Sequence, residues 1–130
     1  MKFLDNFQEQ IYALFRIVIG FLFLWHGTQK FFNFPLEFPW PLNPLLYAAG
    51  AIELVAGILI MVGFCTRPAA FIASGTMAAA YWIAHGLKDI FPIANGGELA
   101  IMFCFGFLLI GVRVHRQSGK SFVPQRWHWH

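Results

Sequence analysis

Glu53 sits eight residues into an apolar run, residues 45–64, that is long enough to cross a bilayer. In a helix it would lie about 12 Å from the nearer end of that run, at about 1.5 Å of rise per residue. An ionisable group at such depth costs about 2.5–3.5 kcal/mol on insertion scales unless it is paired or hydrated. Glu53 is therefore expected to face the interior of a helix bundle, as a protonated structural group or as part of a ligand or proton site. Arg16 stands in another apolar run, residues 11–32, about 7–8 Å from its start. Either it snorkels to the near interface on its long stem, or it reaches Glu53, whose depth differs by roughly 10 Å. That pair would neutralise both charges, although desolvation offsets much of the gain.

A second polar group gathers where several apolar runs end. His26, Gln29 and Lys30 close the first run, His85 and Lys88 close the third, and Glu98 opens the fourth. His26 and Lys30 are four apart and share a helix face, and Glu98 suits the positive end of a helix. An antiparallel bundle brings these ends together as a polar mouth. The same residues also read as a rim of snorkelling groups meeting headgroups beside Trp25, Trp40 and Trp82. As a site, Glu53 could relay a proton, His26 or His85 could hydrogen-bond a carbonyl, and Lys30 or Arg16 could stabilise developing negative charge. Glu53, His26 and His85 are thus the catalytic candidates, and Arg16, Lys30, Glu98 and Gln29 the ligand-binding ones.

Cofactor signals are sparse. The chain has no C-x-x-C, C-x-x-C-H or Rossmann glycine motif, so electrons for any redox step would come from a partner. Haem ligation by His26 and His85 is not expected, because two interfacial histidines are commonplace. A Cys65–Cys104 disulfide is not expected either, since the two fall at different depths. The ending Trp127-His128-Trp129-His130 suits an interfacial anchor, and two His without fixed geometry make a poor metal site.

These residues need elements to position them. The chain is 58% hydrophobic and 12% charged over 130 residues, against about 25% charged in a soluble domain. Sixteen Phe and five Trp exceed what a core this small hides. Four runs approach the roughly 20 residues that span hydrocarbon: 11–32, 45–64, 68–87 and the shorter 98–112. Pro35, Pro39, Pro41 and Pro44 break the chain between the first two, and Pro68 suits the first position of the third helix. The expected fold is all-α, one transmembrane domain of four helices with a basic tail from 113 to 130. Membrane strands would be about 10 residues long and alternating, which these runs are not. A cleaved leader is not expected, because Trp25, His26, Gln29 and Lys30 stand where small residues would precede cleavage.

Charge sets the expected orientation. With both termini on one side, that side carries Lys2, Arg16, Arg67, Arg113, Arg116, Lys120 and Arg126, against Lys30 and Lys88 opposite. This favours both termini inside. The net charge of +3 is then a topology signal, and scattered basic residues argue against nucleic acid. The basic tail can rest on anionic lipid headgroups.

The stretch from Arg16 through Gly20, His26-Gly27 and Lys30 resembles the DoxX family of small bacterial membrane proteins. The likeness continues through Glu53-Leu54-Val55-Ala56-Gly57, Thr66-Arg67-Pro68-Ala69-Ala70, Ala84-His85 and Asn95-Gly96-Gly97-Glu98. It implies a four-helix protein of the inner membrane. It also implies association with redox systems, since family members are subunits linked to thiosulfate:quinone oxidoreductase or quinol oxidase. One reading is thus a redox component that binds a quinone-like lipid alongside a partner protein. The other is a non-enzymatic scaffold or carrier of a small molecule or lipid, helped by oligomerisation, since four spans are few and no inverted repeat stands out.

Overall fold

The computed structural model describes residues 1–39 and 41–113, and within these all regular structure is helical. One turn, α1 (Lys2–Asp5), leads into α2 (Gln8–Phe32), α3 (Pro44–Val62) and α4 (Thr66–Ala84). A second short turn, α5 (Pro92–Asn95), precedes α6 (Glu98–Val112). Each of the four apolar runs is helical, and the last has the expected bounds. Trp40 and the tail beyond Arg113, with its Trp/His ending, lie outside the described residues.

Local chemistry explains the helix ends. The Asn43 side chain accepts a 2.9 Å hydrogen bond from the Leu46 N–H, and Pro44 takes the first helical position of α3. At the other end Gly63 is left-handed, and the Gly63 and Phe64 N–H groups both donate to Leu59 O at 2.9 and 3.1 Å. This pattern closes the helix on the Leu59 carbonyl, one of those near a helix end that need a partner. The start of α4 differs from expectation. It begins at Thr66 behind a left-handed Cys65, so Pro68 is its third residue instead of its first. A proline is tolerated there because the first-turn N–H groups have no acceptor within the helix. The helix also ends before residue 87, where His85 and Gly86 both donate to Tyr81 O.

The long helices pair in sequence order, α2 against α3 and α4 against α6, with further contacts between α3 and α4 and between α2 and α6. Glycine sets the α2/α3 register. A Cβ on Gly20 would come within 2.9 Å of Gly57 O, and one on Gly27 within 2.7 Å of Leu54 Cγ and 2.9 Å of Gly50 O. The two helices therefore run antiparallel with backbones in near contact, as small residues permit in membrane helices. In the second pair, Ser74 Oγ donates to Cys104 O at 2.8 Å, and Arg67 Nε donates to Gly111 O at 3.0 Å. Cys65 and Cys104 are free thiols.

Aromatic packing closes the interior. Phe23, Ile60, Phe107 and Ile110 are fully buried. The Phe23 ring meets Phe107 at 4.6 Å and Phe103 at 5.6 Å, wedging α2 into α6. The outside is as apolar as the inside: Phe71 and Met102 are each 70% exposed, and Val55, Ile58 and Val62 project from α3. An apolar surface this extensive marks a membrane or partner interface. Gln8–Phe32 and Pro44–Val62 are long and apolar enough to cross a membrane, and their apolar stretches are only 22% and 28% buried inside the protein. A helix inside a soluble core would be mostly buried. The protein is all-α and membrane-associated.

Replacing Gly27 by leucine should force α2 and α3 apart and destabilise the protein by about 1–3 kcal/mol, the usual cost of overpacking. Gly75, around which a Cβ would meet nothing within 4 Å, should accept alanine with little change. Thermal unfolding of the two variants in detergent tests the contrast.

Candidate functional site

The close α2/α3 approach carries the main polar feature. Lys30 and Glu53 are 8% and 3% exposed, and Lys30 Nζ donates to both Glu53 oxygens at 2.9 and 2.8 Å. Gly50 makes room for the lysine: a Cβ there would lie 3.4 Å from Lys30 Cβ and Cδ and 2.8 Å from the Phe31 ring. The ammonium also approaches His26 O at 3.4 Å, and it lies 5.3 Å from the centre of the Phe38 ring. Three directions around Nζ are thus occupied by oxygen. In a medium of low polarity such a pair holds strongly, because little solvent competes for either charge.

Glu53 therefore has Lys30 as its partner, and the alternative in which Arg16 reaches Glu53 is not formed. The register supplies the reason. With Gly27 opposite Gly50 and Leu54, Glu53 lies nearly level with Gly27, only one turn from Lys30. Arg16 lies beside Gly63, ten residues from Glu53 along α3, which is about 15 Å of helix rise. Depth counted from the span ends places Arg16 about a helical turn too close.

The remaining candidates divide into two groups. His26 joins Lys30 on α2, and its ring stands edge-on to Phe103 at 5.7 Å. Its ring nitrogens make no hydrogen bond to the described residues. Gln29 points to the loop after α2, with Nε2 3.4 Å from Glu37 O. His85 belongs to the α4–α6 connection instead, where its Nδ1 lies 2.9 Å from Asn95 O. Glu98 opens α6 and is exposed. No hydrogen bond or ion pair among the described residues joins His85 or Glu98 to Lys30, Glu53 or His26. His26 and His85 are thus on different helix pairs, each with its own surroundings. Among the described residues no group of three or more His, Cys, Asp or Glu side chains is placed to hold a metal.

Sequence reasoning missed the residue that organises this connection. Asn95 is buried; its Nδ2 donates to Tyr81 Oη and Asp89 O, each at 3.1 Å, and its Oδ1 accepts from Gly97 N at 2.8 Å. Gly97 packs so tightly on the Tyr81 ring that a Cβ would come within 2.5 Å. The signal was the Asn-Gly-Gly turn itself, which reads as a loop until the Tyr81 contact is seen.

Lys30→Met should leave a buried carboxylate without its counter-charge and destabilise the protein by about 3–5 kcal/mol. The double variant Lys30→Met/Glu53→Leu should recover most of that loss, since an apolar pair carries no desolvation cost. A double-mutant cycle by denaturation in detergent measures the coupling. Additive effects of the two single changes would mean that the pair is not formed.

Comparison with known proteins identifies relatives of the chain. The DoxX family model matches residues 11–86, which take in Lys30, Glu53 and the helices that position them. An uncharacterized protein of Haemophilus influenzae is 43% identical over 115 residues, covering 83% of this chain and 86% of the relative. No solved structure matches the chain. Over more than half its length, through the glycine-lined helix pair and its buried ion pair, this chain belongs to the DoxX family.

Proposed function

We propose that the protein is a four-span component of the bacterial inner membrane, termini inside, that serves a redox system by binding the headgroup of a quinone-like lipid beside Lys30, Glu53 and His26. The observation that carries this reading is the ion pair buried where α2 and α3 meet, with an uncommitted imidazole one turn away. A bound quinone would supply electron- and proton-accepting chemistry. The chain's own part is to bind and to move protons. The His26 ring is available to a carbonyl oxygen, and Lys30 Nζ can turn from one Glu53 oxygen to a ligand without leaving the pair. Glu53 can hold a proton inside the bundle, where bulk water competes little. Electrons are assigned to a partner protein, and the exposed Phe and Leu side chains to lipid. His85 and Glu98 contribute to the same face of the bundle but not to the Lys30 cluster, and Gln29 lies at its rim.

The four-span reading draws on the outward apolar faces of α4 and α6 as well as on the two longer helices. The 15 residues of α6 rise about 22 Å, short of about 30 Å of hydrocarbon. Flanking Arg113 can snorkel to accommodate the difference. A non-enzymatic scaffold or carrier is the second reading, and one observation favours it. Both Glu53 oxygens are spent on Lys30, as a purely structural pair would have them.

Two measurements test these readings. Protein extracted gently from its native membrane should retain a quinone, and Glu53→Gln and His26→Ala should lower that content several-fold. A quinone-free preparation, with the cellular quinone pool unchanged on deletion, would favour the scaffold. For topology, cysteine replacements are made after Cys65 and Cys104 are changed to serine. In intact cells, Leu36→Cys should react with an impermeant maleimide and Asn6→Cys should not; the reverse pattern overturns the orientation.

A further inference from the structure

A second polar centre lies at the other end of the bundle, 14 residues or about 21 Å along α2 from Lys30. Here the start of α2, the end of α3, the start of α4 and the end of α6 enclose a cavity of about 300 Å³, lined by Tyr12, Arg16, Gly63, Thr66, Arg67 and Arg113. Three arginines line one space. We propose that this cavity binds a tetrahedral oxyanion of the phosphate class, supplied by an anionic lipid headgroup or by free phosphate.

The three arginines differ in how they are held. Arg113 Nη2 donates to Glu9 at 2.6 Å, and its guanidinium stacks 3.7 Å from the centre of the Tyr12 ring. Arg67 Nε is tied to Gly111 O at the end of α6. Each spends one donor on the protein and has others to offer. Arg16 is different, because its Nε is fully enclosed and has no hydrogen-bond partner among the described residues. Gly63 fixes its place: a Cβ there would lie 2.8 Å from Arg16 Nη1 and 3.0 Å from Cζ. Were Arg16 only a cap for the C-terminus of α3, it would hydrogen-bond the last carbonyls of that helix, and it forms no such bond.

Charge points the same way. Among the described residues, Glu9 is the one carboxylate that an ion pair brings to this cluster, and it serves Arg113. Arg16 and Arg67 are left without a counter-charge from the described residues. Guanidinium forks match tetrahedral oxyanions in pairs of parallel hydrogen bonds. Thr66 and Arg67 also open α4, so their N–H groups have no acceptor within that helix, and no side chain caps it. The volume is at the small end for ligand pockets, which fits a headgroup or a free ion and not an acyl chain. Among the described residues, Lys2, Arg16, Arg67 and Arg113 belong to this end of the bundle, against Lys30 and Lys88 at the other, and clustered Lys and Arg beside a membrane attract anionic headgroups.

The test uses the full chain, delipidated in a neutral detergent. Inorganic phosphate, and separately mixed micelles carrying phosphatidylglycerol or phosphatidylcholine, are titrated while thermal stability and bound phosphorus are followed. Phosphate or phosphatidylglycerol should raise the unfolding temperature, and phosphatidylcholine should do so less. Arg16→Gln should weaken binding at least tenfold, whereas Lys2→Gln, an equal loss of charge outside the cavity, should weaken it less than twofold. Should Arg16→Gln not fold, Arg67→Gln at the exposed wall replaces it, with the same expected direction. Stabilisation by phosphatidylglycerol alone identifies a lipid headgroup as the source, and stabilisation by both identifies the phosphate group itself. Binding by neither probe, or equal loss in the Arg16 and Lys2 variants, overturns the proposal.

Discussion

Burying Lys30 against Glu53 places a demand on the whole α2/α3 pair. Two charges inside an apolar bundle are tolerable only if they reach each other with good geometry, since each alone would carry a heavy desolvation cost. That reach requires the two backbones to lie close at one level, and Gly50 and Gly27 clear the space. Gly20 and Gly57 keep the helices together further along, so the contact is continuous instead of splaying below the pair. The ion pair and the glycine face are thus one device. The glycines permit the approach, and the approach makes the charges affordable.

The same register has consequences at the far end. Because α2 and α3 are antiparallel and stay close from Gly27 through Gly20, Arg16 comes to lie over the turn at Gly63. The α4/α6 pair, locked by Ser74 to Cys104 O and by Arg67 to Gly111 O, brings two more guanidinium groups to that level. Between the two ends, Phe23, Phe103 and Phe107 form a dry aromatic layer. The molecule therefore holds two polar centres of opposite design. At Lys30 the charges cancel internally, whereas around Arg16 three arginines meet a single paired carboxylate, Glu9, among the described residues.

The α4–α6 connection shows a different solution to the same problem of placing polar groups beside apolar helices. Its polar atoms satisfy one another through Asn95, which ties Tyr81, Asp89 and Gly97, while His85 lies against the Asn95 carbonyl. With their hydrogen bonds made locally, these groups fix the angle at which α6 enters the bundle. No hydrogen bond or ion pair among the described residues links them to Lys30. Residues gathered at one end of antiparallel helices still divide according to which helix pair they belong to.

Much of this was legible in the amino-acid sequence. Apolar run length and proline placement gave the four helices to within a few residues, because those signals are local. The isolation of Glu53 in such a run told that it must face the bundle interior, since hydrocarbon leaves few other options. The identity of the partner was not legible. Lys30 and Arg16 lie on the same helix, and choosing between them requires knowing the register of α2 against α3 to within one turn. That register depends on which glycines face which backbone atoms, a property of two helices together. The arginine cavity is likewise a tertiary product: Arg16, Arg67 and Arg113 are scattered over the chain, and only the closing of four helix ends puts them around one space. Local chemistry determined what the elements are and which residues need company, and packing decided whose company they keep.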